Sequence, residues 1–345
     1  MEKIWYNKTV NARRGVPRRI FRVWKVNTVK IKSYAKINLT LEIVGEKDGY
    51  HLLDSLVASL DIFDLLVLKK RKDKLSSVTM HGMGSESIPP EHNNALKAAE
   101  AFSQTFGCNG ADITIYKDIP IGAGLGGSSA DIVGVINGMA KLYEVGDRVA
   151  LKALADALGS DTGYMLTGGF ARMQGRGEEI ETLDLTEKLH FLLLCPSSSV
   201  SAGGCYREYD RLQTENSVVT KENATENCIA ALREKNYEVA GRYLMNDLFA
   251  PAASLNADVR QAYEEAKSFS PLGVVMSGSG SCVAAWFETK ELCEWAKSRY
   301  KGKHRAYVAQ TVLPDYTKKK KIIWKNPFVL SDEEKALTNG KETEK

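Results

Sequence analysis

The run Pro120-Ile121-Gly122-Ala123-Gly124-Leu125-Gly126-Gly127-Ser128-Ser129-Ala130-Asp131 constrains this chain more than any other stretch. Ile113, Ile115 and Ile119 before it keep the spacing of a strand. Ile132, Val133, Ile136, Met139 and Ala140 after it fall on one helical face, so the glycines sit where a helix begins. Glycines there leave backbone N–H groups bare, and a helix N-terminus adds unpaired donors and the positive end of the macrodipole. The combination suits a polyphosphate, with Ser128 and Ser129 offering hydroxyls to a phosphate oxygen or to magnesium. No Gly-Lys-Ser/Thr closes the loop, and no acidic residue after a following strand marks a dinucleotide fold. The competing reading, a ligand-free glycine linker, sits poorly between an isoleucine-rich strand and an amphipathic helix.

Composition narrows the class. A chain of 345 residues, 43% hydrophobic and 26% charged, has room for about two domains and a substantial core. No apolar run approaches the roughly 20 residues of a membrane span. The six cysteines are scattered, with no Cys-x-x-Cys and no histidine at zinc spacing, which favours reduced thiols and a cytoplasmic setting. The net charge of +4 is unevenly placed: eight Lys and Arg residues precede Thr28 against the single acid Glu2. That arm lacks the serine richness and periodicity of a transit sequence, and the core lacks basic-aromatic interleaving. Nucleic acid and membrane are therefore not expected partners, and the arm reads as a solvated extension.

Several further motifs follow in order. Near the start lie Ala35-Lys36-Ile37-Asn38-Leu39, then Asp48-Gly49-Tyr50-His51, Leu60-Asp61 and Asp64. Asn93 with Lys97-Ala98-Ala99 precedes the glycine run, and Leu158-Gly159-Ser160-Asp161 and Ser277-Gly278-Ser279-Gly280-Ser281 follow it. Together, over roughly residues 28 to 315, these resemble the GHMP kinases, the small-molecule kinases of galactose, homoserine, mevalonate and phosphomevalonate. Within that family they are most similar to the branch whose acceptor is 4-diphosphocytidyl-2-C-methyl-D-erythritol.

The resemblance implies an α+β, two-domain fold with an N-terminal half like ribosomal protein S5 domain 2 and a C-terminal ferredoxin-like half. The expected divisions are 1–27 as basic extension, 28–187 and 188–315 as the two kinase domains, and 316–345 as a charged tail. The implied activity is ATP- and Mg²⁺-dependent phosphorylation of the acceptor's 2-hydroxyl, in the non-mevalonate route to isoprenoid precursors. Another alcohol, or a non-catalytic GHMP-fold binder, is the alternative. The implied partner is a small molecule, and the chain is a monomer or a homodimer.

Residue by residue, the resemblance makes Asp161 the general base. Lys36 stands beside it to ease ionisation of the hydroxyl or to hold the carboxylate charged. Pro120 to Ala130 cradle ATP, with Asn93 on the adenine side and Ser129 as a candidate magnesium ligand. Asn38 touches the erythritol portion, and Tyr50 and His51 read cytosine. Ser277, Gly278, Ser279 and Gly280 form motif three near the phosphates. Read without it, Asp161 is a helix cap, Lys36 a solvated lysine, Asp48-Gly49 a hairpin turn and the motif-three glycines a tight turn. Two departures stand out. Thr162-Gly163-Tyr164 occupies the place of a usual Val-Pro-Phe, and Ser201-Ala202-Gly203-Gly204 the place of a Pro-Thr pair. A β-branched residue at Gly126 is expected to block the phosphates and leave the fold intact.

Periodicity predicts strands or hairpins over 29–44, 65–69, 191–194, 274–276, 283–287 and 305–309. It predicts helices over 95–106, from the glycine run onward, and over 148–158, 224–233, 259–267 and 290–299.

Overall fold

A 21-residue strand, β3 (Tyr50–Lys70), organises the first half. Residues Ser55 to Leu60 are buried without a break, whereas from Asp61 onward burial alternates, so the middle of the strand is covered on both faces and its end on one. The computed structural model describes residues 27–82, 84, 93–214 and 223–314. The expected extension (Asn27 apart) and the expected tail lie outside the described residues.

Before β3 run β1 (Thr28–Asn38) and β2 (Thr40–Lys47), a single extended run interrupted at Leu39 that pairs antiparallel along β3. The hairpin is at Asp48 and Gly49, which both adopt positive φ (54° and 75°), as a tight primed turn demands. Then follow β4 (Ser77–His81), α1 (Asn94–Phe106), β5 (Ala111–Tyr116), α2 (Gly127–Tyr143), α3 (Arg148–Leu158), α4 (Thr162–Met165), β6 (Phe170–Gly175) and β7 (Glu179–Leu183). The second half comprises β8 (His190–Cys195), α5 (Ala202–Thr214), α6 (Ala224–Arg233), α7 (Tyr237–Arg242), β9 (Met245–Asn246), α8 (Phe249–Leu255), α9 (Ala257–Lys267), β10 (Gly273–Met276), β11 (Val283–Phe287), α10 (Lys290–Arg299) and β12 (Arg305–Gln310).

The architecture is α+β, built on two sheets. The larger has eight strands around β3, which pairs with β1, β2, β5 and β6. The smaller is antiparallel in the order β10-β11-β8-β12. The change of sheet falls between Leu183 and His190, beside the expected boundary, but the larger sheet does not close within residues 28–187. β9 comes from the second half and lies parallel to β2, pairing Thr40 with Met245 and Leu41 with Asn246.

Helix α2 lies close on β3. A Cβ on Gly134 would stand 2.7 Å from Leu66 atoms and one on Gly138 2.5 Å from a Leu68 methyl, so the helix axis can approach only with glycine there. Ile136 and Met139 complete this contact and pack into the same core as Phe102 of α1 and Ile113 and Ile115 of β5. A second core joins the two sheets through Leu56, Val57, Phe170, Phe191 and Trp286, and a third lies under α9 and α10. Among the described residues no helix is long and apolar enough to cross a membrane.

Asp247, next to β9, is 4% exposed. Its Oδ2 accepts from the Ile43 amide at 2.8 Å, while Oδ1 has no partner among the described residues. Burial pushes this carboxyl up to about 6. An acid whose pKa is higher folded than unfolded favours the fold at low pH, and that contribution is lost as pH rises from the unfolded value through the folded one. Asp247→Asn is therefore expected to gain on the wild type between pH 4 and pH 7, by at most roughly 3 kcal/mol. Denaturant midpoints at the two pH values check it, and a pH-independent difference would contradict it.

Candidate active site

A cavity of about 770 Å³ lies where the glycine run, β1, the start of α4 and motif three converge. Helix α2 begins at Gly127 behind Gly126 (φ 74°), with no side-chain cap. Its first internal bond runs from the Ala130 amide to Gly126 O at 2.8 Å. The amides of Gly127, Ser128 and Ser129 find no acceptor among the described residues. Bare donors at the N-terminus of a 17-residue helix, opening on a cavity, fit a polyphosphate. Pro120 through Ser129 all line the cavity; Ala130, fully buried, stands behind the cradle and closes the first helical turn. Ser128 Oγ accepts from Asn94 Nδ2 at 2.8 Å, while the Ser129 hydroxyl makes no bond among the described residues.

Gly126 does more than make room for phosphates. A Cβ there would stand 2.9 Å from Lys36 Cγ and 3.0 Å from Met165 Sδ, in a left-handed backbone that β-branched residues resist. A β-branched replacement would strain the loop and push on Lys36, so it cannot leave everything but phosphate binding intact, contrary to the expectation from sequence.

Lys36 sits just past a bulge in β1, where the register with β3 shifts between Tyr34 and Lys36. Its amide donates to Leu125 O at 3.0 Å, tying the strand to the glycine run. It is not a solvated lysine. The side chain is 6% exposed, and Nζ donates to Asn38 Oδ1 at 2.6 Å and lies 3.4 Å from Asp161 Oδ2. Asp161 occupies the N-cap position of α4 yet makes no capping bond, so its carboxylate, 31% exposed, is free to face the lysine and the cavity.

Asn38 shares the face of Lys36, as strand alternation predicts, and donates through Nδ2 to Ser55 Oγ at 2.8 Å. Its Oδ1 also accepts from the Gly278 amide at 3.1 Å. Motif three thereby reaches the Lys36–Asp161 pair, but its members divide. Gly278 and Ser279 line the cavity. Ser277, fully buried, donates through Oγ to Gly124 O at 3.0 Å, and a Cβ on Gly280 would run into Met276 Sδ at 2.8 Å. Ser277 thus supports the glycine run from behind, and neither it nor Gly280 lines the cavity. Asn93 lines the cavity too, but its side chain caps α1, accepting from the Ala95 amide at 2.9 Å and donating to Met80 Sδ.

At the other end, Tyr50 is 56% exposed, with the Arg176 guanidinium 4.3 Å from its ring centre. His51 Nε2 lies 2.7 Å from Asp210 Oδ1, and its ring stacks on Tyr206 at 5.0 Å and meets Tyr209 edge-on. Tyr206, Tyr209 and Asp210 belong to α5, an element absent from the sequence reading. The buried pair Cys205 and Tyr209, four apart, is the signal that could have found it.

Also unforeseen is a buried ion cluster behind the cradle. Lys117 Nζ lies 2.5 Å from Asp64 Oδ2 and 2.6 Å from Asp131 Oδ2, and Asp64 Oδ1 accepts from the Asp118 and Ile119 amides. Burial works against the Lys117 charge, but its two carboxylates prevail and raise its pKa. Burial pushes Asp131 up, to about 7. An acid within the apolar stripe of α2 was the available signal, since a buried carboxylate requires a partner.

The departure at Thr162-Gly163-Tyr164 falls on packing, whereas Ala202 of the Ser201–Gly204 departure lines the cavity. Thr162 is fully buried, its hydroxyl donating to Ala155 O and Gly159 O, and Tyr164 donates to Gly169 O at 2.7 Å; neither lines the cavity. Ser201 caps α5, accepting from the Gly204 amide at 3.1 Å. No trio of His, Cys, Asp or Glu side chains that could hold a metal is found among the described residues.

A helix-end anion cradle opposite a lysine–aspartate pair is the arrangement of a small-molecule phosphotransferase. Residues 93–171 match the GHMP kinase N-terminal domain and 228–300 the GHMP kinase C-terminal domain. The chain is 30% identical over 289 residues to the 4-diphosphocytidyl-2-C-methyl-D-erythritol kinase of Clostridium tetani, covering 82% of this chain and all of that one. It is 34% identical over 258 residues to the Carboxydothermus hydrogenoformans enzyme of the same name, covering 74% and 86%. A crystal structure of 4-(cytidine 5'-diphospho)-2C-methyl-D-erythritol kinase superposes with a TM-score of 0.68 at 28% identity, over 82% of this chain and 98% of that one. Homoserine kinase from Cytophaga hutchinsonii, at 17% identity and a TM-score of 0.63 over 83% and 95%, shares the fold. The chain belongs to the GHMP kinase family.

Proposed function

We propose that the protein transfers the γ-phosphoryl group of ATP to the 2-hydroxyl of 4-diphosphocytidyl-2-C-methyl-D-erythritol, a step in isoprenoid precursor synthesis, in the cytoplasm. The observation that carries the reading is the Lys36–Asp161 pair, 3.4 Å apart, sharing one cavity with the bare amides of α2. The names of the relatives support the choice of acceptor.

Phosphoryl transfer asks the protein for alignment and charge neutralisation more than for covalent chemistry. The amides of Gly127, Ser128 and Ser129 hold the nucleotide's phosphates, and the Ser129 hydroxyl is the side chain available to a magnesium ion that shields their charge. Asp161 accepts the proton of the attacking hydroxyl. Lys36, held by Asn38 Oδ1, stabilises charge on the hydroxyl oxygen and on the group in flight. Tyr50 supplies a stacking face for cytosine, and His51 hydrogen-bonds its edge, its ring oriented by Asp210 and Tyr206.

The test is phosphoryl transfer by the full chain with a panel of alcohols including the cytidine compound, homoserine and mevalonate. Turnover confined to the cytidine compound is expected, and transfer to homoserine or mevalonate instead would overturn the reading. Tyr50→Ala should weaken the cytidine acceptor by about 1–3 kcal/mol with little change for ATP. Equal losses for both ligands would assign Tyr50 a structural role.

A further inference from the structure

Four cationic side chains, Lys36, Lys117, Arg176 and Arg207, line the cavity. Its carboxylates are Asp131, Asp161 and Asp210. Two of these cations are already matched: Lys36 faces Asp161, and Lys117 is clamped between Asp64 and Asp131. Asp210 is taken by His51. Arg176 and Arg207 make no ion pair among the described residues, and both are exposed. Two unpaired guanidiniums at the mouth of a cavity whose acids are all engaged leave a local excess of positive charge.

Their positions assign that charge to one end of the cavity. Arg176 projects from the turn between β6 and β7, flanked by Gly175 and Gly177, and lies across Tyr50. Arg207 directly follows Tyr206, the residue stacked on His51. Arg176 therefore lies at the Tyr50–His51 end, and Arg207 shares α5 with Tyr206 and Asp210, which both meet His51; at the nucleotide end the cation behind the α2 amides, Lys117, is neutralised by Asp64 and Asp131. A guanidinium offers a planar fork of donors that matches phosphate oxygens, and it retains its charge at any working pH.

We infer that Arg176 and Arg207 recognise the diphosphate of the acceptor and select a nucleoside-diphosphate-linked alcohol over an uncharged one. This rests on the acceptor proposed above. It adds a specificity element distinct from base stacking: Tyr50 and His51 read the base, and the two arginines read the charge next to it. Arg176 has a double part, because it also backs the Tyr50 ring.

The experiment is calorimetric binding of cytidine and of cytidine diphosphate to the full chain, at low and high salt, with ATP titrated separately. The wild type should bind the diphosphate about 10- to 100-fold more tightly than cytidine at low salt, with the gap narrowing at high salt. The R176Q/R207Q protein should lose most of that gap while keeping its ATP affinity, and R176K should retain part of it. Equal wild-type affinities for the two ligands would overturn the inference and leave the cytidine reading standing. So would variants that weaken cytidine and the diphosphate by the same factor, since the arginines would then only shape the base platform. A wild type that binds neither ligand would remove the proposed acceptor, and this inference with it.

Discussion

Asp161→Asn is expected to slow the chemical step by about 10²–10⁴ while ATP and acceptor still bind, since the amide keeps the shape of the carboxylate but cannot take the hydroxyl proton. The carboxylate serves no capping bond in α4, so the substitution removes no support from that helix. The measurement is single-turnover phosphoryl transfer at saturating ATP and acceptor. A rate within a few-fold of the wild type would exclude the base role. Catalysis would then rest on alignment and charge, which a loose phosphoryl transition state permits.

Lys36→Met should also lower the transfer rate by orders of magnitude, on the scale of about 10²-fold, because a methionine of similar length cannot stabilise charge at the transferring group. Its consequence for Asn38 is separate: Oδ1 loses the ammonium but keeps the Gly278 amide, so motif three retains its anchor. The Lys36→Met/Asp161→Asn double variant should fall short of the summed losses, since two groups 3.4 Å apart act on one proton and one developing charge. Strict additivity in a double-mutant cycle would mean that the two residues act independently.

The sequence announces elements whose ends are capped and whose faces are uneven. Helix α3 starts after Asp147, which caps the Ala150 amide, and α10 starts after Thr289, which caps the Leu292 amide; both lie where periodicity predicts them. Helix α5 escapes because it opens on Ala-Gly-Gly, poor in helix propensity, and buries only Cys205 and Tyr209. Strands β6 and β7 are short and mixed in polarity, and β9, two residues long, has no period to detect.

The site follows the same logic. Tight local geometry, such as the glycine run and the Asp48-Gly49 turn, can be read from residue types alone. Lys36 and Asp161 stand 125 positions apart and look ordinary singly, so only motif resemblance marked them. Partners such as Asp210 for His51, or Lys117 for Asp131, arise from packing between elements, which no local pattern encodes.

The attachment of motif three has a consequence for the chain during synthesis. Ser277 and Gly278 hold Gly124 and Asn38, and Asn246 Nδ2 in turn donates to Met276 O and Gly278 O at 2.7 and 2.8 Å. A nascent chain released from the ribosome as far as Leu183 already carries Lys36, Asp161 and the whole glycine cradle. It still lacks the Gly278 amide that shares Asn38 Oδ1 with the lysine and the Ser277 hydroxyl that holds Gly124 O. Such a fragment is expected to hold its glycine cradle less firmly than the full chain does, because Gly124 and Asn38 each lose one partner.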